Sequence, residues 1–316
     1  MKKVLKVMGI ILGVIVLVIA GLFVKNMIDA NKPYLSDNYY EEFKSNSPLE
    51  QKYAGKGCYA VSKIEIKSDN KNISKISIWY PSELESSDKV WPLILNVNAS
   101  NTKARNTLPF FERLASWGFI VVGNEDPQCG TGETASITLD TVLSLGSDSV
   151  LYGKIDRENM GVIGYSQGGA GAINAVTRYD NGKLYKTIFT GSAAYALLSK
   201  NMGWEYDISK ITIPYFMAAG TGTSDDSGKY GENEYAGVSP LFSQKDNYNG
   251  VTADVFKVRG RIIGAEHGDM LKLSDGYMTA WMLYQLQGNE EAGTVFLGDD
   301  AEILHNTRWK DVEKSR

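Results

Sequence analysis

The sequence contains few of the side chains that bind metals or nucleic acids. Its 316 residues include only two cysteines, Cys58 and Cys129, and two histidines, with no C-x-x-C pair and no histidine cluster. These absences remove the usual patterns of zinc and other metal sites, and we expect neither a metal nor a cofactor. The formal net charge is −4 and no cluster of basic residues is present, so the composition gives no support for nucleic-acid binding.

The first 25 residues differ in composition from the rest of the chain. Three lysines among the first six residues precede an uncharged apolar run over 7–24, which is close to the minimum length for spanning a bilayer. We interpret residues 1–25 as a signal anchor, meaning a transmembrane helix, with a signal peptide cleaved after Ala20 as the alternative. The lysines predict a cytoplasmic N-terminus, with the following domain outside the cytoplasm at the cell membrane, or secreted after cleavage.

Residues 26–52 are polar and are predicted to form a tether plus a first irregular piece of the domain, whose catalytic part is predicted over 53–316. Within that domain, apolar strand-like runs alternate with helical patterns. This alternation predicts an α/β fold with a mostly parallel central sheet and helices on both faces. The predicted strands are 59–67, 73–80, 91–97, 119–122, 160–163, 185–189, 213–220 and 255–263, the first two as an antiparallel edge hairpin. The predicted helices are one beginning near Leu108, one over about 134–147, one after residue 169 and one carrying Met278 to Leu286.

A G-x-S-x-G motif places a serine between a strand and a helix. Residues 164–169 read GYSQGG, after an apolar run and before small and apolar residues at helical spacing. In this nucleophile elbow, glycines allow a sharp turn that exposes the serine hydroxyl at the helix N-terminus. The motif predicts that Ser166 is a nucleophile. A small-residue turn that merely contains a serine is the alternative, and the flanking strand and helix argue against it.

A nucleophilic serine needs a base, and the sequence has only two histidines. His267 follows the strand predicted over 255–263 and is our candidate base. His305 lies in a polar stretch near the C-terminus and is interpreted as a surface residue.

The acid of a triad is expected between the serine and the histidine, just after a strand. Asp225 and Asp226 both follow the strand predicted over 213–220, and Asp225 is our first choice with Asp226 as the alternative. Ser166, Asp225 and His267 then follow the chain order of α/β-hydrolases. All three come after strands, so they are expected at the same edge of a parallel sheet.

Two backbone amides are expected to stabilise a negatively charged oxygen. One belongs to Gln167, the residue after the nucleophile. The other comes from the loop that follows the strand 91–97, where Ser100 is our first choice and Ala99 the second. Residues 130–135 also fit the dinucleotide pattern G-x-G-x-x-A. We reject that interpretation because six residues separate the pattern from the preceding strand.

Four pieces of the chain resemble the α/β-hydrolase superfamily. They are GYSQGG at 164–169, LASWGF at 114–119, the loop 98–100 and the pair Glu266-His267. The resemblance is to bacterial dienelactone-hydrolase-like enzymes and to polyester-hydrolase, cutinase-like and chlorophyllase-like esterases, over roughly 53–309. It implies an α/β-hydrolase catalytic domain that hydrolyses carboxylic esters through an acyl-enzyme. The family often has His-Gly or Pro-Gly where this chain has Asn98-Ala99.

The expected substrate is therefore a small-molecule or polymeric ester, with polyesters and short-chain acyl esters as candidates. An acyltransferase or peptidase with the same triad, and a non-catalytic surface binding module, are the alternatives. Trp117, Trp204 and Tyr165 are candidate walls of the substrate site. We expect a monomer that is attached to the membrane through its N-terminal anchor. Cys58 and Cys129 are expected to stay unpaired, because they would lie near opposite edges of the sheet.

Overall fold

A nine-stranded sheet runs through the computed structural model, which describes residues 33–231 and 234–316. The strand order is β1-β2-β4-β3-β5-β6-β7-β8-β9. Neighbouring strands from β4 to β8 are parallel, whereas β1, β2 and β9 form antiparallel pairs at the two ends. The prediction of an α/β fold with a mostly parallel sheet is thus confirmed, and so is the edge hairpin.

The strands lie close to the predicted apolar runs. They are β1 Val61–Lys67, β2 Lys75–Pro81, β3 Trp91–Val97, β4 Ile120–Asn124, β5 Ile155–Tyr165, β6 Tyr185–Gly191, β7 Tyr215–Gly220, β8 Lys257–Ile262 and β9 Trp309–Lys314.

The helices that cover the sheet are mostly short. They are α1 Tyr39–Glu42, α2 Pro48–Ala54, α3 Leu108–Ala115, α4 Glu133–Leu143, α5 Gln167–Thr177, α6 Ala196–Asn201, α7 Leu241–Gly250, α8 Met270–Leu273, α9 Asp275–Gln287, α10 Glu290–Gly293 and α11 Glu302–His305. Helix α4 ends at Leu143, four residues before the predicted end near Ser147.

Alternate residues of the central strands enter two separate apolar cores. Ile163 of β5 packs into the core that contains α3 and α9, and its neighbour Val162 packs into the core that contains α4 and α5. Both side chains are fully buried. A strand that is apolar on both faces reads as a continuous apolar run, which is why the central strands could be predicted from the sequence.

The N-terminal boundary of the packed chain differs from the prediction. The prediction for 26–52 is a tether plus an irregular piece of the domain, whereas α1 and α2 are helices that pack against the domain. Glu50 is completely buried and accepts hydrogen bonds from Trp309 Nε1 (2.7 Å) and Asn306 Nδ2 (3.0 Å). The polar composition of this segment does not reveal the packing, because a buried polar group such as Glu50 bonds to the domain instead of to water.

The predicted transmembrane helix at 1–25 lies outside the described residues. Within the described ranges, none of the helices has the length and hydropathy of a bilayer-spanning segment.

The two cysteines are free, with Cys58 exposed and Cys129 buried. Cys58 precedes β1 and Cys129 follows β4. Because β1 and β4 are each antiparallel to β2, they run parallel to one another, which is the arrangement on which the expectation of unpaired cysteines depended. Burial raises the pKa of the Cys129 thiol to about 12, so this thiol stays protonated at neutral pH.

Candidate active site

Ser166 occupies the sharp turn between β5 and α5. Its backbone has φ 57° and ψ −124°, a conformation that costs energy for a residue with a side chain. The turn is tight enough that a Cβ atom on Gly164 would lie 2.0 Å from the Gly168 carbonyl oxygen. A Cβ atom on Gly168 would lie 2.1 Å from the carbonyl oxygen of Val97. These two glycines therefore permit the turn, and the strained serine is held in an elbow of the predicted type.

Asp225 and His267 form a hydrogen-bonded pair beside this turn. Asp225 is completely buried, and its Oδ1 lies 2.6 Å from His267 Nδ1. The other carboxylate oxygen, Oδ2, accepts from the Gly220 amide at 2.7 Å and from the Ser192 hydroxyl. Three donors thus fix the carboxylate, and the histidine retains Nε2 for another partner.

One cavity of about 420 Å³ contains both Ser166 and His267 in its lining. Ser166 is half-buried and the His267 side chain is 25% exposed, so both can be reached from the cavity. Within the described residues no hydrogen bond joins the serine hydroxyl to the imidazole. Hydrogen bonds between catalytic groups are often long without substrate. The rest of the lining is mainly apolar and includes Tyr34, Leu35, Val97, Phe110, Tyr165, Met270 and Leu271.

The alternative acid, Asp226, points to different partners. Its Oδ2 lies 2.6 Å from Arg261 Nη1 and accepts from the Leu241 amide, and its Oδ1 accepts from the Tyr230 hydroxyl at 2.6 Å. Burial raises the pKa of Asp226, but these hydrogen bonds outweigh burial and hold its pKa below the ordinary value. Of the two candidate acids, only Asp225 is in contact with His267.

Two of the predicted oxyanion residues line the same cavity, and the third, Gln167, directly follows Ser166. Ala99 and Ser100 are part of its lining, and neither of their amides has a hydrogen-bond partner within residues 33–231 and 234–316. Gln167 is the first residue of α5, so its amide has no helical carbonyl one turn earlier. The Ala99 and Ser100 amides remain available to an oxygen in the cavity, and the choice between them stays open.

Asn98 holds the loop that carries these amides. Its Nδ2 donates to the carbonyl oxygens of Asn124 (2.9 Å) and Asp126 (2.8 Å), and its Oδ1 accepts from Asn96 Nδ2 at 3.3 Å. Asn98 is 2% exposed. The sequence prediction considered Asn98 only as a departure from the usual His-Gly or Pro-Gly, and missed its role in fixing the loop to the end of β4.

Ser192 and Ser224 were also missed. Ser192 is 1% exposed, has φ 46°, and donates to Asp225. The Ser224 hydroxyl accepts from the His267 amide at 2.8 Å and donates to Glu266. Hydrogen bonds from Ser224 and from Thr223 lower the pKa of Glu266. The signal for Ser192 was its place directly after a strand at the carboxyl edge, whereas Ser224 adjoins the acid.

Most of the remaining predicted residues lie away from the cavity. His305 is exposed, as expected for a surface residue. Trp117 is not a wall of the cavity: it packs against Tyr53 and donates from Nε1 to the Gly55 carbonyl oxygen at 2.9 Å. Trp204 packs over Gly130, so Tyr165 is the only one of the three candidate aromatics that lines the cavity. Among the described side chains, no three His, Cys, Asp or Glu residues group together as metal ligands.

A family model described as PET hydrolase-like matches residues 39–196, which is half of the chain. This chain belongs to the PET hydrolase-like family. Membership indicates a serine hydrolase that acts on esters, and it confirms the predicted resemblance to polyester hydrolases. A search of curated proteins found no match.

In this PET hydrolase-like protein, the region matched by the family model covers only part of the candidate site. It begins at the first residue of α1, within the segment predicted as a tether. It includes Ser166 and the loop 98–100 but ends before Asp225 and His267. The acid and the base are instead identified by the hydrogen bond between Asp225 and His267 and by the place of His267 in the cavity with Ser166.

Proposed function

We propose that this protein is a serine esterase that cleaves carboxylic esters through an acyl-enzyme on Ser166. The observation that carries the proposal is that His267 lines the cavity that contains the elbow serine and is hydrogen-bonded to the buried Asp225. Asp225 holds the imidazole in the tautomer with hydrogen on Nδ1, which leaves Nε2 free to accept the serine proton.

Acylation begins when the Ser166 oxygen attacks the ester carbonyl carbon and His267 Nε2 takes the hydroxyl proton. The carbonyl oxygen becomes an anion, which the amides of Gln167 and of Ser100 or Ala99 stabilise. When the intermediate collapses, the bond to the alcohol oxygen breaks and His267 returns the proton to that oxygen. A water molecule then attacks the acyl-enzyme by the same route and releases the acid.

The cavity favours an ester with a small apolar substituent. Its volume of about 420 Å³ is at the lower end of the usual range for small-molecule pockets. Short-chain acyl esters, or one terminal unit of a polyester, are the proposed substrates.

The test is labelling with a fluorophosphonate together with hydrolysis of p-nitrophenyl esters of increasing chain length. We expect the probe to label Ser166, and Ser166→Ala to abolish labelling. Ser166→Ala and His267→Ala should each lower kcat by about 10⁶-fold, because in a serine triad these two residues act as one unit. His305→Ala is the matched control, since this exposed histidine is not part of the site. A Ser166→Ala protein with ordinary activity would exclude the proposal.

An acyltransferase or peptidase would use the same acyl-enzyme but a different acceptor or substrate. Product analysis with a competing alcohol separates transfer from hydrolysis, and a peptide panel tests peptidase activity. A non-catalytic binding module would fail to react with the fluorophosphonate.

A further inference from the structure

The segment that precedes α1 forms part of the cavity wall. Tyr34 and Leu35 both line the cavity that contains Ser166. Leu35 is only 7% exposed and belongs to the same apolar core as Phe110 and Met270, which also line the cavity. Leu35 therefore closes one side of the candidate substrate site with an apolar surface.

Hydrogen bonds attach this segment to the domain on both sides of Leu35. Before it, the Tyr34 amide donates to the Asn106 carbonyl oxygen at 2.8 Å. After it, the Tyr39 hydroxyl donates to Asp275 Oδ2 at 2.5 Å and accepts from Arg113 Nε at 3.0 Å. Because both attachments reach groups of the hydrolase domain, Leu35 is held in place as a fixed wall.

This wall lies outside the part of the chain that matches the family model. The family match begins at residue 39, four positions after Leu35. Phe110 and Tyr165, which also line the cavity, fall within the matched region. The wall at Leu35 therefore comes from a segment outside the matched region.

We propose that Leu35 is a specificity-determining residue that limits the size of the apolar group accepted from the ester. The inference rests on the proposed esterase function of Ser166. A hydrophobic pocket distinguishes substrates that differ by one methylene by roughly 10- to 200-fold. A change in the bulk of residue 35 should therefore shift chain-length preference without changing the chemistry.

The experiment compares kcat/KM of the full chain on p-nitrophenyl acetate, butyrate, hexanoate and octanoate. Leu35→Ala enlarges the cavity and should raise the ratio of octanoate to acetate kcat/KM by about tenfold. Leu35→Trp should lower the same ratio, with the change mainly in KM. Leu49→Ala is the matched control, because Leu49 packs against the same core from α2 but does not line the cavity.

Opposite shifts for Leu35→Ala and Leu35→Trp, with an unchanged ratio for Leu49→Ala, would support the proposal. An unchanged ratio in both Leu35 variants, or the same shift in Leu49→Ala, would overturn it. The rate of fluorophosphonate labelling at Ser166 checks that each variant is folded. If Leu35→Ala does not fold, Leu35→Val replaces it with a smaller expected shift in the same direction. Failure of the esterase function itself would look different, since neither labelling nor Ser166-dependent hydrolysis would occur in the wild type.

Discussion

Two neighbouring aspartates in the acid loop illustrate how position, and not residue type, decides a role. Asp225 accepts from the main chain and from Ser192 and contacts His267, whereas Asp226 pairs with Arg261. Both carboxylates follow the same strand, so spacing alone could not choose between them. The direction in which the loop turns after β7 makes the choice, and that direction depends on contacts with distant parts of the chain.

Asp225→Asn should lower kcat by about 10⁴-fold and leave a measurable remnant, because the amide favours the wrong imidazole tautomer. Asp226→Asn should keep kcat/KM on a short-chain ester close to that of the wild type. The measurement is steady-state hydrolysis, with circular dichroism to check folding. If Asp226→Asn were the crippled variant, the acid would be assigned to the wrong residue of the pair.

Although Asp226→Asn should keep the activity, it should lower the free energy of unfolding. The side chains of Asp226 and Arg261 are 10% and 7% exposed, so this pair is largely shielded from water. Weakening the charged hydrogen bonds of this pair should lower the free energy of unfolding by about 1–3 kcal/mol. The Arg261 guanidinium is not left unpaired, because Asp311 remains as a second partner at 2.7 Å.

The stability that the Asp226 carboxylate contributes should also depend on pH. The pKa of Asp226 is lower in the folded chain than its ordinary value, so the carboxylate stabilises the fold above the unfolded pKa. That stabilisation is lost as the pH falls through the folded pKa. Urea unfolding of both proteins should show a stability difference at neutral pH that shrinks below about pH 4. A difference that persists unchanged in acid would contradict the assignment of the ion pair.

Sequence patterns missed several short elements, both at the ends of the chain (α1, α2 and β9) and within it (α6 and α7). The central strands are apolar on both faces and were predictable, whereas α1, α2 and β9 are short and carry many polar groups. Glu50 shows the reason: a buried glutamate in a polar helix looks like a surface residue until Trp309 and Asn306 are brought to it. Such pairings join residues more than 250 positions apart, and no local pattern contains them.

Glu50→Ala should destabilise the protein by about 3–5 kcal/mol. The change leaves the buried Trp309 Nε1 and Asn306 Nδ2 groups without their acceptor, and it removes an anion 3.7 Å from Arg308. Chemical denaturation measures the loss. Glu42→Ala is the matched control, because Glu42 is an exposed glutamate in the neighbouring helix α1. Equal stability of the two variants would mean that α2 is not an integral part of the domain.

At the scale of the whole molecule, the parallel sheet brings together residues that are far apart in sequence. Ser166 follows β5, the acid follows β7 and His267 follows β8, so all three reach the carboxyl edge. The alternation of strands and helices predicted this convergence. It did not predict that β4 lies between β2 and β3, because strand order depends on how the connecting segments cross the sheet.

The apolar run at 7–24 leads to our last prediction, that the chain is anchored in the cell membrane with its esterase domain outside the cytoplasm. Ten positions separate Val24 from Tyr34, so an extended link would keep the cavity within about 35 Å of the end of the run. Protease added to intact cells should remove the domain, and Val16→Arg should weaken retention in the membrane fraction, since a central arginine costs about 2.5–3.5 kcal/mol. Lys2→Arg is the control, because it keeps the charge that orients the run. A domain fully protected in intact cells would show that the predicted orientation is wrong, and release of an intact domain into the medium would favour cleavage after Ala20.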